Sequence, residues 1–270
     1  MRGGENGCMS TSRMAPQPEI RILDNSADLF QAAAVEFAAL ASEAVRSKGT
    51  FSVALSGGST PKGLYTLLAN DAVPSIPWGR ICFFWGDERH VPPVNPESNY
   101  GMAYEAMLSK VPVRLQNVFR IHAEVKDADA AAVAYEQDLK TFFNLRPGEF
   151  PCFDLTLLGL GPDGHTASLF PGTTALHEKD RLVVANWVEK FKAYRFTLTL
   201  PVLNRSACVM FLVSGKEKSE ILREVLENPS ADLPSQKVRP ADGRLLWLVD
   251  RVAASALSHQ TKDTARPANF

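Results

Sequence analysis

The sequence predicts an α/β fold: a doubly wound, mostly parallel sheet flanked by helices, Rossmann-like in its layering and contained in one domain. Apolar runs of strand length alternate along the chain with stretches of helical spacing, and no segment is repeated. Several apolar runs end abruptly in Gly, Ser or Pro, which is expected where the strands of an open α/β sheet end. A chain of 270 residues that is 45% hydrophobic can bury a sizeable core.

Composition and charge exclude several classes of protein. The formal net charge is −1, so the chain offers no reason to expect a nucleic-acid partner or an anionic membrane surface. The longest apolar runs are strand-sized and too short to span a bilayer. The cysteines form no CxxC and no Cys/His metal pattern; they are Cys8, Cys82, Cys152 and Cys208. We expect them to be small buried side chains in a reducing compartment, and we expect no metal or other cofactor.

The first half of the chain supplies four predicted strands and four predicted helices. Residues 1–18 are rich in Gly, Ser, Pro and Met and are predicted to be a disordered leader. Apolar runs predict strands over 20–23, 51–55, 81–85 and 120–122. Helical spacing predicts helices over 26–46, 62–68, 100–108 and 127–143, the last with Val133 facing inward. The expected punctuation is Ser26 or Asp28 capping the first helix, Gly49 closing it, Pro61 at the first position of the second, and Ser98 capping the third.

The second half of the chain continues the alternation. Strands are predicted over 153–160, 182–185, 195–200, 208–213 and 245–250. A helix is predicted to open at 214–218 and to run to about residue 226, and a closing helical turn is predicted over 252–257. We therefore expect one α/β domain over residues 19–258 and a tail over 259–270.

The strand at 153–160 runs into a glycine-rich loop that contains Asp163 and His165. Ligands of open α/β sheets bind outside the carboxyl ends of the strands, so a titratable His at this point is a candidate for a functional site. The plainer alternative is a tight turn with a surface His. The spacing Gly159-x-Gly161-x-x-Gly164 matches the dinucleotide fingerprint, but Pro162 and Asp163 stand where a pyrophosphate needs free N–H groups and no negative charge.

Three other predicted strands also end in polar segments. Ser56-Gly57-Gly58-Ser59-Thr60 precedes a helix and is suited to cradle a phosphate, although it lacks the Gly-Lys-Ser/Thr ending of a Walker A loop. The alternative is a simple strand-to-helix turn. Residues 87–90 place Asp87, Glu88, Arg89 and a His in a row, which could equally be a solvated loop. Lys216 and Lys218 lie at a predicted helix start, where a cation suits an anionic ligand, although a solvated lysine is the commoner case.

Seven segments of the chain, taken together and in order, resemble the family of glucosamine-6-phosphate isomerases and 6-phosphogluconolactonases. They are residues 55–61, 85–89, 96–100, 159–171, 195–201, 214–218 and 246–250. The resemblance covers roughly residues 20–257. The deaminases of this family have Asp-Glu-Tyr where this chain has Asp87-Glu88-Arg89, and Asn-Glu-Pro where it has Phe170-Pro171, so the resemblance is to the lactonases.

The resemblance implies hydrolysis of 6-phospho-D-glucono-1,5-lactone to 6-phospho-D-gluconate, the second step of the oxidative pentose phosphate pathway. His165 would act as general base and later as acid, because it titrates near neutral pH. Asp163 would orient the imidazole or merely cap the turn. No Gly-x-Ser-x-Gly elbow is present, so we expect no serine nucleophile.

The same resemblance implies a binding site for the phosphate group. Arg195 and Lys218 would supply its positive charge beside the Ser56–Thr60 cradle, with Lys216 as the alternative lysine. Arg89 would serve either the phosphate or the oxyanion. Asp87 and Glu88 would hold Arg89 in place.

The sequence leaves two other functions open, and it allows expectations about location and assembly state. The chain could be a deaminase or isomerase with Asp87 as its carboxylate base, or a sugar-phosphate-binding protein without activity. We expect a cytoplasmic protein, with an organelle as the alternative destination if the leader is an address. We expect a monomer or a weak homodimer with no nucleic-acid or membrane partner.

Overall fold

A parallel sheet of six strands forms the centre of the molecule, as the computed structural model shows for residues 18–70 and 76–265. Its strands are β1 (Glu19–Leu23), β2 (Phe51–Leu55), β3 (Ile81–Trp85), β5 (Leu155–Leu158), β8 (Cys208–Val213) and β9 (Arg244–Asp250). They lie in the order β1-β9-β8-β5-β2-β3, with every neighbouring pair parallel. The predicted fold class is confirmed. The leader prediction lies outside the described residues, apart from Pro18.

The strand order reverses in the middle of this sheet. From β2 the chain moves outward to β3 and then returns to β5 on the other side of β2. In doubly wound sheets the loops diverge at such a reversal and leave a crevice at the carboxyl ends of the strands. The fold therefore predicts a ligand site between the loop after β2 and the loop after β5.

A second, antiparallel sheet lies beside this edge and was not predicted. It consists of β4 (Asp87–Arg89), β6 (Val183–Val188) and β7 (Ala193–Leu198), in the order β4-β7-β6. The alternative of a solvated loop at residues 87–89 is wrong. Three charged residues in a row show no alternation that would predict a strand. They form one because β7 supplies hydrogen-bonding partners for their backbone, with Glu88 opposite Phe196.

Seven helices are described, and most of the predicted ones are confirmed in position. They are α1 (Ser26–Lys48), α2 (Ser59–Leu68), α3 (Asn99–Ala103), α4 (Ala128–Phe142), α5 (Leu200–Leu203), α6 (Ser219–Glu227) and α7 (His259–Thr264). A π-helical turn, Tyr104–Leu108, extends α3. Ser98 caps α3 and Gly49 closes α1 with a left-handed φ of 84°, both as expected. No helix of the described residues is long and apolar enough to cross a membrane.

Several boundaries differ from the predictions for local reasons. The cap of α1 is Asn25, whose side chain accepts a hydrogen bond from the Asp28 N–H. Helix α2 begins at Ser59, so Pro61 is its third residue rather than its first. Residues 120–122 form no strand, because the chain leaves the sheet edge after one bridge between Val118 and Phe83.

Two further expectations, those for Val133 and Cys152, are corrected by the exposure of these residues. Val133 is 53% exposed on α4, and Cys152 is exposed rather than buried. Cys82 and Cys208 are buried thiols as expected, and burial raises the pKa of each to about 11. The predicted tail contains helix α7, which Ser258 caps.

Two buried tyrosines brace the strand ends that face the crevice. The Tyr65 hydroxyl accepts from the Ser56 N–H (2.9 Å) and donates to the Ser56 carbonyl (2.8 Å). The Tyr135 hydroxyl makes the same pair of bonds to Trp85, at 2.8 and 3.1 Å. Each tyrosine replaces backbone partners that the strand loses where it leaves the sheet. Burial raises the pKa of both phenols, so both stay protonated.

Candidate active site

A cleft of about 300 Å³ lies at the carboxyl ends of β2 and β5, where the strand order reverses. The antiparallel sheet forms its far wall. The loops and strand ends that line it contribute Ser56, Gly57, Gly58, Asp87, Arg89, Asn99, residues 159–162, residues 165–168, Phe170, Phe191, Arg195 and Lys218. The structure thus brings together most of the residues singled out in the sequence, from five separate segments of the chain.

His165 and Asp163 form a hydrogen-bonded pair in the loop after β5. The imidazole Nδ1 contacts Asp163 Oδ1, and the same oxygen accepts the His165 backbone N–H at 3.3 Å. The backbone closes this turn with a bond from the Gly161 N–H to the His165 carbonyl (2.8 Å). Because Nδ1 is engaged, Nε2 is the nitrogen that remains to act on a ligand in the cleft.

Glycine is required at Gly161 because the imidazole packs against its Cα. A Cβ at this position would lie 2.0 Å from His165 Cε1. After Gly164 the chain forms a small bridge between Thr166 and Leu169 instead of a helix, and Ala167 takes a left-handed φ of 47°. A dinucleotide fingerprint needs a helix N-terminus at this point, so the structure excludes that interpretation of the glycines.

The surroundings of this pair set its ionisation. Burial lowers the pKa of His165, and the hydrogen bond that its ring donates to Asp163 opposes this effect only in part. Burial raises the pKa of Asp163, but the bonds from Lys190 and His165 outweigh it and bring the pKa down to about 2. At neutral pH the site therefore holds an ionised carboxylate beside a neutral imidazole, which is the state a general base requires.

Two arginines face each other across the antiparallel sheet at the cleft. Arg89 on β4 is paired in register with Arg195 on β7. Among the described residues the Arg195 guanidinium has no hydrogen bond or ion pair and lies over the Phe191 ring, 5.0 Å from its centroid. Burial, and then the charge of Arg89, lower the Arg195 pKa. Like charges directly opposite in a sheet repel each other, so this wall of the cleft favours an anion.

The loop after β2 brings backbone and hydroxyl groups to the same cleft. Ser56, Gly57 and Gly58 line it, whereas Ser59 and Thr60 belong to the first turn of α2 and do not. Gly57 packs against Asn99 so closely that a Cβ would lie 1.8 Å from the Asn99 Oδ1. The predicted cradle thus reaches the cleft with its first three residues.

The structure distinguishes the two candidate lysines after β8. Lys218 lines the cleft, and Lys216 instead donates to Ser255 Oγ at 2.8 Å. Asp250, at the end of β9, orders this loop by accepting from Ser214 Oγ (2.5 Å) and from the Gly215 N–H (3.1 Å). Lys218 is therefore the lysine positioned to meet a bound anion.

Asp87 and Glu88 do not hold the Arg89 guanidinium, so that expectation is wrong. Glu88 is buried and accepts from three donors at the start of α3, Ser98 Oγ and the backbone N–H groups of Asn99 and Tyr100, and from the backbone N–H of Arg89 on its own strand. Burial raises its pKa. Asp87 accepts from Ser168 Oγ (2.8 Å) and Asn99 Nδ2 (3.3 Å), and the Arg89 guanidinium donates to the Glu97 carbonyl.

Sequence reasoning did not single out several residues of the site, among them Asn99, Ser168, Phe170, Lys190 and Phe191. The first three lie in segments that carried the family resemblance. The sequence therefore indicated that these segments matter, but not which contacts the three side chains make. Lys190 and Phe191 lie in a turn between β6 and β7 that has no sequence signal of a site. They reach the His165 loop only because the antiparallel sheet folds against it.

Comparisons with known proteins agree with this arrangement. Residues 24–247 match the family model described as glucosamine-6-phosphate isomerases/6-phosphogluconolactonase. A relative from Nostoc sp. is 44% identical over 218 residues, covering 80% of this chain and 88% of the relative. A relative from Synechocystis sp. is 42% identical over 243 residues, covering 89% and 98%. A solved structure from Trypanosoma cruzi has a TM-score of 0.80 and 31% identity, covering 91% and 98%. All three are named 6-phosphogluconolactonase.

Proposed function

Because this chain belongs to the family of glucosamine-6-phosphate isomerases and 6-phosphogluconolactonases, we propose that it is the enzyme that hydrolyses 6-phospho-D-glucono-1,5-lactone to 6-phospho-D-gluconate, the second step of the oxidative pentose phosphate pathway. The observation that carries the proposal is the composition of one cleft. A neutral His165 paired with an ionised Asp163 lies on one wall. The cation Arg195, which has no ion pair with any described residue, lies on the other.

Hydrolysis begins with attack of a water molecule on the lactone carbonyl carbon. His165 Nε2 takes one proton from the water as the new C–O bond forms, and the carbonyl electrons move onto oxygen. When the tetrahedral intermediate collapses, the bond to the ring oxygen breaks and the imidazolium returns its proton to that oxygen. Asp163 stabilises the imidazolium through Nδ1. Each general acid or base role accelerates such a reaction roughly 10²–10⁴-fold.

Binding relies on the phosphate dianion of the substrate. Arg195 and Lys218 supply charge, and the loop of Ser56, Gly57 and Gly58 supplies backbone and hydroxyl groups beside the N-terminus of α2. Arg89 either joins them or stabilises the oxyanion. The hydrogen bond that Arg89 donates to the Glu97 carbonyl holds the guanidinium in position for either role.

The pH dependence of the reaction follows from the state of His165. Its pKa lies below the ordinary 6.5, so the base stays neutral down to a lower pH than an exposed His would. We expect kcat/KM to fall at acid pH with an apparent pKa below 6.5. A pH–rate profile, corrected at each pH for spontaneous opening of the lactone, measures this value. A profile without an acid limb would contradict the role of His165.

The deciding experiment is a coupled assay in which glucose-6-phosphate dehydrogenase forms the lactone and 6-phosphogluconate dehydrogenase reports its hydrolysis. The wild-type protein should exceed the spontaneous rate, and His165→Ala should lose at least 10²-fold in kcat. His122→Ala is the matched control, because His122 is an exposed histidine outside the cleft. Absence of acceleration by a folded wild-type protein would reject the proposal.

Amino-sugar phosphates test the other chemistry in the family. A deaminase would need a carboxylate base such as Asp87, but this carboxylate already accepts from Ser168 and Asn99. We therefore expect no ammonia release from glucosamine 6-phosphate. Ammonia release without lactonase activity would favour the deaminase, and tight binding of 6-phosphogluconate without either activity would favour a binding protein.

The proposal includes a cytoplasmic location and a monomer or weak homodimer with no nucleic-acid or membrane partner. A fluorescent fusion of the whole chain tests the location, and signal in an organelle would support the alternative. Light scattering during gel filtration tests the assembly, and a stable complex larger than a dimer would contradict it.

A further inference from the structure

A short turn between β6 and β7 lies over the His165 loop. It consists of a 3₁₀ turn, Glu189–Phe191, followed by Lys192, whose φ is 50°. Lys190 in this turn forms an ion pair with Asp163 Oδ2 at 2.5 Å. The Phe191 ring packs edge-on against Phe170, 5.7 Å between centroids. The turn therefore joins the antiparallel sheet to the loop that carries the general base.

Asp163 is held from two sides. One carboxylate oxygen contacts His165 Nδ1, and the other contacts Lys190 Nζ. A carboxylate with one partner can rotate about its terminal bond, but one whose two oxygens are both engaged cannot rotate without losing a contact. Lys190 thereby restricts the orientation of the group that orients the imidazole.

The aromatic rings around Lys190 strengthen this arrangement. Its ammonium lies 4.5 Å from the centroid of Phe170 and 4.9 Å from that of Phe191. The same Phe170 ring packs against the His165 imidazole, with 4.2 Å between ring centroids. One phenyl ring thus contacts both the lysine and the histidine, and the rings exclude water from part of the Lys190 side chain.

We propose that Lys190 is a positioning residue of the reaction: it clamps Asp163 so that the His165 imidazole keeps Nδ1 bonded and presents Nε2 to the lactone. This inference rests on the proposed lactonase function for its catalytic consequence. The clamp itself is a property of the free enzyme. Lys190 does not line the cleft, so it acts through Asp163 and not on the substrate.

The charges around His165 determine the direction of the expected effect. Asp163 on its own loop and Asp87 on β4 favour the imidazolium, whereas Lys190 on the turn opposes it. Arg89, Arg195 and Lys218 line the same cleft and also disfavour a positive imidazole. Without the Lys190 charge, less positive charge offsets the negative charge of Asp163 and Asp87 near the imidazole. The His165 pKa should therefore rise, and a smaller fraction of His165 should be neutral near pH 7.

The test compares Lys190→Gln, Lys190→Arg and Lys192→Gln with the wild-type protein. Lys192 is the matched control, because it lies in the same turn and its ion pair in the described part of the chain is with Glu189 at the surface. NMR titration of the His165 ring, assigned by its absence in His165→Asn, should show a higher pKa in Lys190→Gln. The kcat at pH 7 should fall about tenfold, a fraction of the effect of a general base, with KM little changed.

The outcomes separate the clamp from the reaction. Lys190→Arg should restore most of kcat, and Lys192→Gln should match the wild type in both measurements. A folded Lys190→Gln protein with an unchanged His165 pKa and an unchanged pH–rate profile would overturn the inference. A wild-type protein without lactonase activity, whose His165 pKa still rises in Lys190→Gln, would reject the proposed function and support the clamp.

Discussion

At the scale of single residues, the site depends on which cations form no ion pair with another described residue. Lys216 and Lys218 are separated by one residue, yet only Lys218 lines the cleft, while Lys216 is bonded to Ser255. Arg195 and Arg89 are placed opposite each other and repel. The binding of a dianion is favoured because it neutralises charges that the protein itself leaves uncompensated.

This pair of lysines offers a matched prediction. Lys218→Ala should raise KM by roughly 10- to 150-fold with kcat nearly unchanged, because a hydrogen bond to a charged group contributes about 1.5–3 kcal/mol and serves binding alone. Lys216→Ala should stay within twofold of the wild type in both constants. Steady-state kinetics in the coupled assay measures the two effects. Equal effects of the two substitutions would contradict the assignment of Lys218 to the phosphate.

At the scale of elements, hydrogen bonds from buried side chains hold the loops of the site in place. Tyr65 in α2 holds both backbone groups of Ser56, and Asp250 at the end of β9 holds the loop that leads to Lys218. Glu88 caps α3 from a neighbouring strand. The strands fix where each loop starts, and these polar contacts fix the direction in which it leaves.

Tyr65→Phe tests this bracing. Loss of the hydroxyl leaves the Ser56 N–H and carbonyl without their partner in a buried place, so the free energy of unfolding should fall by about 1–3 kcal/mol. We also expect KM to rise, because the loop of Ser56 to Gly58 loses its support. Urea denaturation measures the stability, with Tyr104→Phe as the control at an exposed tyrosine. Equal free energies of unfolding for the two variants would show that the Tyr65 hydrogen bonds do not contribute to stability.

At the scale of the whole molecule, the cleft lies between two sheets. Within residues 18–70 and 76–265, no strand of one sheet pairs with a strand of the other. A sugar phosphate bound there as proposed would contact loops of the parallel sheet and Arg195 of the antiparallel sheet. Ligand binding should therefore stabilise the whole fold.

Thermal unfolding in the presence of 6-phosphogluconate measures this linkage. At a concentration 100-fold above Kd, a ligand that binds only the native state adds about 2.7 kcal/mol, which corresponds to a clear rise of Tm. The rise should be much smaller in Arg195→Met, where part of the anion site is gone. A full rise of Tm in that variant would remove Arg195 from the binding site.

The sequence by itself determined the main sheet and the central pair of the site. Buried parallel strands are continuous apolar runs, so β2, β3 and β8 could be read to the residue. Asp163 and His165 are two residues apart in a turn, and local geometry is enough to bring them together. The end of a strand, the turn and the pair are all short-range features.

Only the tertiary structure decided how this pair is completed. Lys190 is 27 residues from Asp163 in sequence and meets it because the antiparallel sheet packs against the His165 loop. Asp87, Glu88 and Arg89 read as a solvated loop until β7 supplies their backbone partners. Contacts between distant segments depend on how elements pack, and no local pattern of residue types encodes that packing.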